Sequence, residues 1–125
     1  MKWISRSFVR DHRNHIFLFG DNLARRGFGG QAAAMRGEPN AVGIPTKKHP
    51  SNNEDAFFTD AEFEQNKAAI DRAFERLRHI STTREQIIVI PADGLGTGRA
   101  QLESRAPLTF AYLQRRLREL SLLPA

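Results

Sequence analysis

Ile16-Phe17-Leu18-Phe19-Gly20-Asp21-Asn22 sets four apolar residues in an unbroken row ahead of a glycine and two turn-forming polar residues. A strand with one wet face alternates apolar and polar residues, whereas an unbroken row reads as a strand covered on both faces. Two later stretches repeat the form: Ala41-Val42-Gly43-Ile44 before Pro45-Thr46-Lys47, and Ile87-Ile88-Val89-Ile90 before Pro91-Ala92-Asp93-Gly94. Each strand is expected to stop at the glycine, proline and polar residues that follow it.

Helical patterns separate these rows. Phe63, Ala69, Ile70, Ala73, Phe74, Leu77 and Ile80 recur at three- and four-residue spacing, which predicts an amphipathic helix over about residues 60–80, capped by Thr59 or Asp60. Phe110, Leu113, Leu117 and Leu120 predict a second over about residues 105–120. With Ser104 as its N-cap, Pro107 falls in the first turn, where the N–H it lacks has no intrahelical partner. Arg115, Arg116 and Arg118 then form a solvated face. Strong helix formers predict a shorter helix over about residues 30–36. Trp3-Ile4 and Phe8-Val9 suit an edge strand. Strand and helix alternate, so the expected fold is α/β, a three-layer α-β-α sandwich around a largely parallel or mixed sheet in one domain over residues 1–125. Ligands of such folds bind at the carboxyl ends of the strands.

The chain has 125 residues, of which 40% are hydrophobic, and 19 Lys and Arg stand against 14 Asp and Glu, a net charge of +5. Its mean hydropathy is −0.49. That balance fits a soluble globular protein, and a basic surplus favours an anionic partner or serves solubility alone. The absence of cysteine excludes a disulfide framework, a thiolate metal site and a cysteine nucleophile. No apolar run has signal-peptide or membrane-spanning length, so a cytoplasmic address and no membrane partner are expected. His12, His15, His49 and His79 lack paired spacing, so no metal site is expected, and no cofactor is implied.

Two glycine-rich stretches leave the first and third strands: Gly27-Phe28-Gly29-Gly30, and Gly94-Leu95-Gly96-Thr97-Gly98 followed by Arg99. Glycine lets backbone N–H groups approach a phosphate closely, and two such loops at one edge suit a diphosphate; the alternative for either loop alone is a tight turn. Neither stretch matches a Rossmann fingerprint or a Walker phosphate loop.

Asp21-Asn22 with Gly27-Phe28-Gly29-Gly30, then Gly43-Ile44-Pro45-Thr46-Lys47-Lys48, then Ile90-Pro91-Ala92-Asp93-Gly94-Leu95-Gly96-Thr97-Gly98 with Arg99 and Gln101, resemble the successive signatures of a macro domain across roughly residues 16–113. The nearest likeness is to small macro-domain-like proteins of bacteria and phages, with a more distant one to macro domains that remove terminal ADP-ribose from glutamate. The resemblance implies ADP-ribose or a related nucleotide as ligand. It places Asn22 near the distal ribose, residues 27–30 beside that ribose and the diphosphate, Thr46 in the same site, and residues 94–98 with Arg99 as the second phosphate wall. Asp21 reads either as a partner of ribose or adenine or as a turn residue.

Lys47 matches the lysine that attacks the anomeric carbon in the glutamate-deacylating relatives, a task requiring the free amine. Their acid/base aspartate falls where this chain has Gly98, leaving Asp93 as the nearest carboxylate, so hydrolysis of an ADP-ribosyl linkage and simple binding both stay open. The alternative for Lys47 is a phosphate or water contact. Arg25, Arg26, Lys47, Lys48 and Arg99 would form a basic rim, with Phe28 available to pack under adenine or ribose. A partner bearing ADP-ribose, whether protein or nucleic acid, would fit it. The rim equally suits a non-enzymatic nucleic-acid or protein interaction module, whose binding would fall steeply with salt.

Overall fold

A computed structural model describes residues 4–27, 32–81, 87–91, 94–97 and 100–121. The three apolar rows form β1 (His15–Asn22), β2 (Ala41–Lys47) and β3 (Ile87–Val89), which make a parallel sheet in the order β2-β1-β3. Phe17 of β1 stands opposite Ala41 on one side and Val89 on the other. Around the sheet lie α1 (Arg6–Asp11), α2 (Ala32–Met35), α3 (Phe63–Ile80), α4 (Leu102–Arg105) and α5 (Pro107–Ser121). The fold is mixed α/β.

The central strand explains its own composition. Ile16 and Leu18 pack with Val42 and Ile44 against Ile70, Ala73 and Leu77 of α3 and Leu113 and Leu117 of α5. Phe17 and Phe19 point the opposite way, against Val9 of α1 and Ala32 and Met35 of α2. Both faces of β1 are therefore covered, as an unbroken apolar row requires. Truncating either Phe17 or Leu18, both wholly buried, would cost roughly 2–5 kcal/mol.

Several expectations are corrected. The amino-terminal stretch forms a helix, α1, because Ser5 caps it by accepting from the Phe8 N–H at 3.1 Å and Val9 alone enters the core. β1 runs on through Gly20, Asp21 and Asn22, and β2 through Pro45, Thr46 and Lys47. Pro45 is tolerated because β2 is an edge strand among the described residues. β3 is not covered on both faces: Ile87 is 51% exposed, and Ile90 lies outside the strand. The caps also differ. Neither Thr59 nor Asp60 caps α3. The Asp60 carboxylate instead accepts from the Leu108 and Thr109 N–H groups of α5, at 3.0 and 3.2 Å. Ser104 is inside α4 and Pro107 opens α5, so a carboxylate from a distant segment supplies what a local cap would. Arg116 is not solvated either: it pairs with Asp71 at 2.6 Å and lies over the Phe74 ring.

Candidate functional site

Parallel strands point their carboxyl ends the same way, so Asn22 and Lys47 share an edge, toward which the chain leaving β3 at Val89, opposite Phe17, also runs. The register of β1 and β2 breaks there: Asp21 stands opposite Pro45, but Asn22 stands opposite Lys47. Thr46 is the extra residue of this bulge, and bulges re-aim the side chains beyond them. It is buried, its hydroxyl donating to the Asp21 carbonyl at 3.3 Å. The bulge brings Asn22 and Lys47 side by side on rigid strand ends, where sequence reasoning put them in loops.

Asp21 is fixed by a residue that reasoning overlooked. Arg36, just beyond α2, donates to the two Asp21 carboxylate oxygens at 2.6 and 3.2 Å and to the Gly27 carbonyl at 2.7 Å. One guanidinium thus ties the end of β1 to the loop that follows. The same carboxylate explains Gly43 on β2, where a Cβ would stand 2.4 Å from Asp21 Oδ2. Sequence could not have paired Asp21 with Arg36, because a charged residue closing an alanine-rich helix carries no sign of its partner.

Asn22 is 7% exposed. Its amide nitrogen donates to the Arg26 carbonyl at 2.9 Å, which fixes which end of the amide is oxygen. That oxygen, Oδ1, is buried with no hydrogen-bond partner among the described residues. Lys47, opposite, donates from Nζ to the Ser51 carbonyl at 2.5 Å and sits 4.7 Å from the centre of the Phe57 ring. Both contacts suit a charged ammonium. Arg105 of α4 stacks on the same ring at 3.8 Å while donating to Glu54, so Phe57 lies between two cations. The adjacent aromatics Phe57 and Phe58 in a polar stretch were the available sign of this anchor. Lys48 of the expected rim pairs with Glu62 at 2.6 Å and holds that carboxyl below its usual range, the hydrogen bond outweighing burial.

Beyond β3, the Gly94 N–H donates to the Pro91 carbonyl and the Gly96 carbonyl accepts from the Leu102 N–H, both at 2.9 Å, which ties Gly96 to the start of α4. Gly96 has a positive φ of 85°, and a Cβ there would meet Leu102 at 2.8 Å, so glycine is demanded twice over. Leu95 is buried in the core, and Thr97 is exposed. Phe28, Gly29, Gly30, Asp93, Gly98 and Arg99 lie outside the described residues.

Among the described residues no group of three or more His, Asp or Glu is placed to hold a metal ion, and no helix is long and apolar enough to cross a membrane. His12 stacks on Phe8, and His15 on Phe17. A model of a family of unknown function, DUF7831, matches residues 1–116. The chain belongs to DUF7831. Comparison with curated proteins and with solved structures finds no match. The strand-end geometry is therefore the ground on which a function for this DUF7831 chain can be argued.

Proposed function

We propose that the chain is a macro-domain-like protein that binds ADP-ribose or a related nucleotide at the carboxyl ends of β1, β2 and β3. The observation that carries this reading is Asn22: a buried amide, fixed in orientation, whose Oδ1 has no donor among the described residues. A buried acceptor left alone costs about 1–3 kcal/mol, so a ligand hydroxyl that reached it would recover that cost. Ribose offers such hydroxyls. The cationic Lys47, opposite in the register, suits the phosphate side of the same ligand. Parallel strands with helices on both faces support the sandwich that the resemblance implies.

Binding is favoured over hydrolysis. Nucleophilic attack by Lys47 needs its Nζ at the anomeric carbon, whereas Nζ donates to the Ser51 carbonyl and packs against the Phe57 ring. Calorimetry with ADP-ribose, AMP and NAD tests the reading: ADP-ribose should bind, and Asn22→Ala should weaken it roughly tenfold. No heat with any of the three at millimolar concentration would sink it. Turnover of an ADP-ribosylated substrate that disappears in both Lys47→Ala and Asp93→Ala would restore the hydrolytic version.

A further inference from the structure

Many of the described arginines have a carboxylate at hand: Arg6, Arg10 and Arg13 meet Glu38, Arg105 meets Glu54, and Arg116 meets Asp71. The outer side of β2 is different. An open cleft of about 300 Å³ runs along that side and receives Arg25 from the loop after β1, Arg36 from beyond α2, and Arg76 from α3. The cleft thus takes cations from both faces of the sheet. Asp21 is the one carboxylate among the described residues of its lining, and both its oxygens are taken by Arg36. Arg76 donates to the Gly43 carbonyl at 3.3 Å, and neither Arg25 nor Arg76 pairs with a carboxylate among the described residues. Arg25 holds a left-handed backbone, φ 54°, just after a turn closed by its N–H on the Asn22 carbonyl at 3.0 Å.

We propose that this cleft is a phosphate-binding site in which Arg25 and Arg76 grip a phosphoryl group while Arg36, neutralised by Asp21, forms the floor. Planar guanidinium forks on two walls match the charge and geometry of a phosphate better than those of a single carboxylate. The field within the cleft agrees with this. Burial lowers the Arg76 pKa, the neighbouring charges of Arg25 and Arg72 lower it further, and Asp21 raises it only in part. A bound dianion would relieve that crowding. The open mouth admits a phosphate attached to a larger molecule as well as a free one. The site borders the nucleotide edge at Asp21 but involves neither Asn22 nor Lys47, so it stands independently of that reading.

Calorimetry and thermal unfolding with inorganic pyrophosphate, inorganic phosphate and acetate at equal ionic strength provide the test. Pyrophosphate should bind and raise the unfolding midpoint, with phosphate weaker and acetate inert. Arg76→Gln and Arg25→Gln should each weaken pyrophosphate roughly tenfold or more, while Arg115→Gln on α5 should leave it unchanged. Should Arg76→Gln fail to fold for want of its bond to Gly43, the exposed Arg25→Gln decides alone. Equal responses to pyrophosphate and acetate, or full pyrophosphate binding in every folded cleft variant, would overturn the proposal. Asn22→Ala should still bind pyrophosphate. If wild type binds pyrophosphate through Arg25 or Arg76 but not ADP-ribose, the nucleotide reading falls and this site stands.

Discussion

Asp21 and Glu38 are both carboxylates sunk into the fold and both answered by arginine, yet they are held in opposite ways. Asp21 has a single guanidinium, from Arg36, whose side chain is 15% exposed and which also supports the Gly27 and Arg26 carbonyls. Glu38 has three, from Arg6, Arg10 and Arg13, with 29%, 58% and 47% of their side chains exposed. A lone partner is hard to replace, because its loss leaves a largely buried charge with no hydrogen-bonded counterion. Three half-wet partners share one charge, and each is largely dispensable. The first arrangement shapes a site, whereas the second fastens α1 to the turn before β2.

The largest expected effect follows from the lone pair. Arg36→Met, similar in length but uncharged, should destabilise the chain by about 3 kcal/mol or more in urea unfolding, because Asp21 stays buried and unpaired. A loss below about 1 kcal/mol would mean that Asp21 draws water or Arg25 instead, and the contrast with Glu38 would fail. Asn40 offers the next test, on the other side of the comparison. Its buried amide donates to the carbonyls of Val9, His12 and His15 and accepts from Arg13 at 2.6 Å, so it completes the fastening that Glu38 begins. Asn40→Ala should cost roughly 1–3 kcal/mol by the same measurement, since three carbonyls lose a donor.

What was legible in the sequence follows the same division. Apolar rows and helical spacing are local signals, and they located β1, β2 and β3 and the long helices α3 and α5. Pro107 marked a helix start because proline constrains its own φ and removes its own N–H. The cap of that helix was illegible, because the Asp60 carboxylate arrives from a segment almost fifty residues earlier in the chain, ~50 by number. Arg36 and Arg76 were missed for a related reason: the first is defined by Asp21 and the second by the Gly43 carbonyl, and neither partner is within a helical turn. Asn22 and Lys47 were singled out from sequence, but a strand bulge, which leaves no mark on composition, sets them opposite each other.

Glu38 also titrates, which gives a third and smaller effect. The Arg10 hydrogen bond, opposed by burial and joined by Arg6 and Arg13, holds its carboxyl below the ordinary value of 4.5. A carboxylate with a lowered folded-state pKa adds stability that is fully present above the unfolded value and lost as pH falls through the folded one. Wild type should therefore melt above Glu38→Gln at pH 7, and the gap should close as pH drops below about 4.5. An equal gap at pH 3 and pH 7 would show that shape and hydrogen bonding, rather than charge, account for the role of Glu38.

The smallest effect is the one most able to break the comparison. Arg10 donates from Nε to both Glu38 oxygens, at 3.1 and 3.3 Å, and is the main cause of the lowered pKa, yet it is the most exposed of the three partners. If the charge is truly shared, Arg6 at 2.8 Å and Arg13 at 3.2 Å should keep Glu38 satisfied without it. Arg10→Gln should then shift the thermal midpoint by no more than about 1–3 °C, and the shift should shrink further in high salt, which screens exposed pairs. The double variant Arg6→Gln/Arg10→Gln should lose more than the sum of the two singles, because only then does one half-exposed guanidinium remain for a buried carboxylate. Additive losses would mean that the three arginines act separately, and Glu38 would have to be treated as Asp21 is, a carboxylate with partners that cannot be spared.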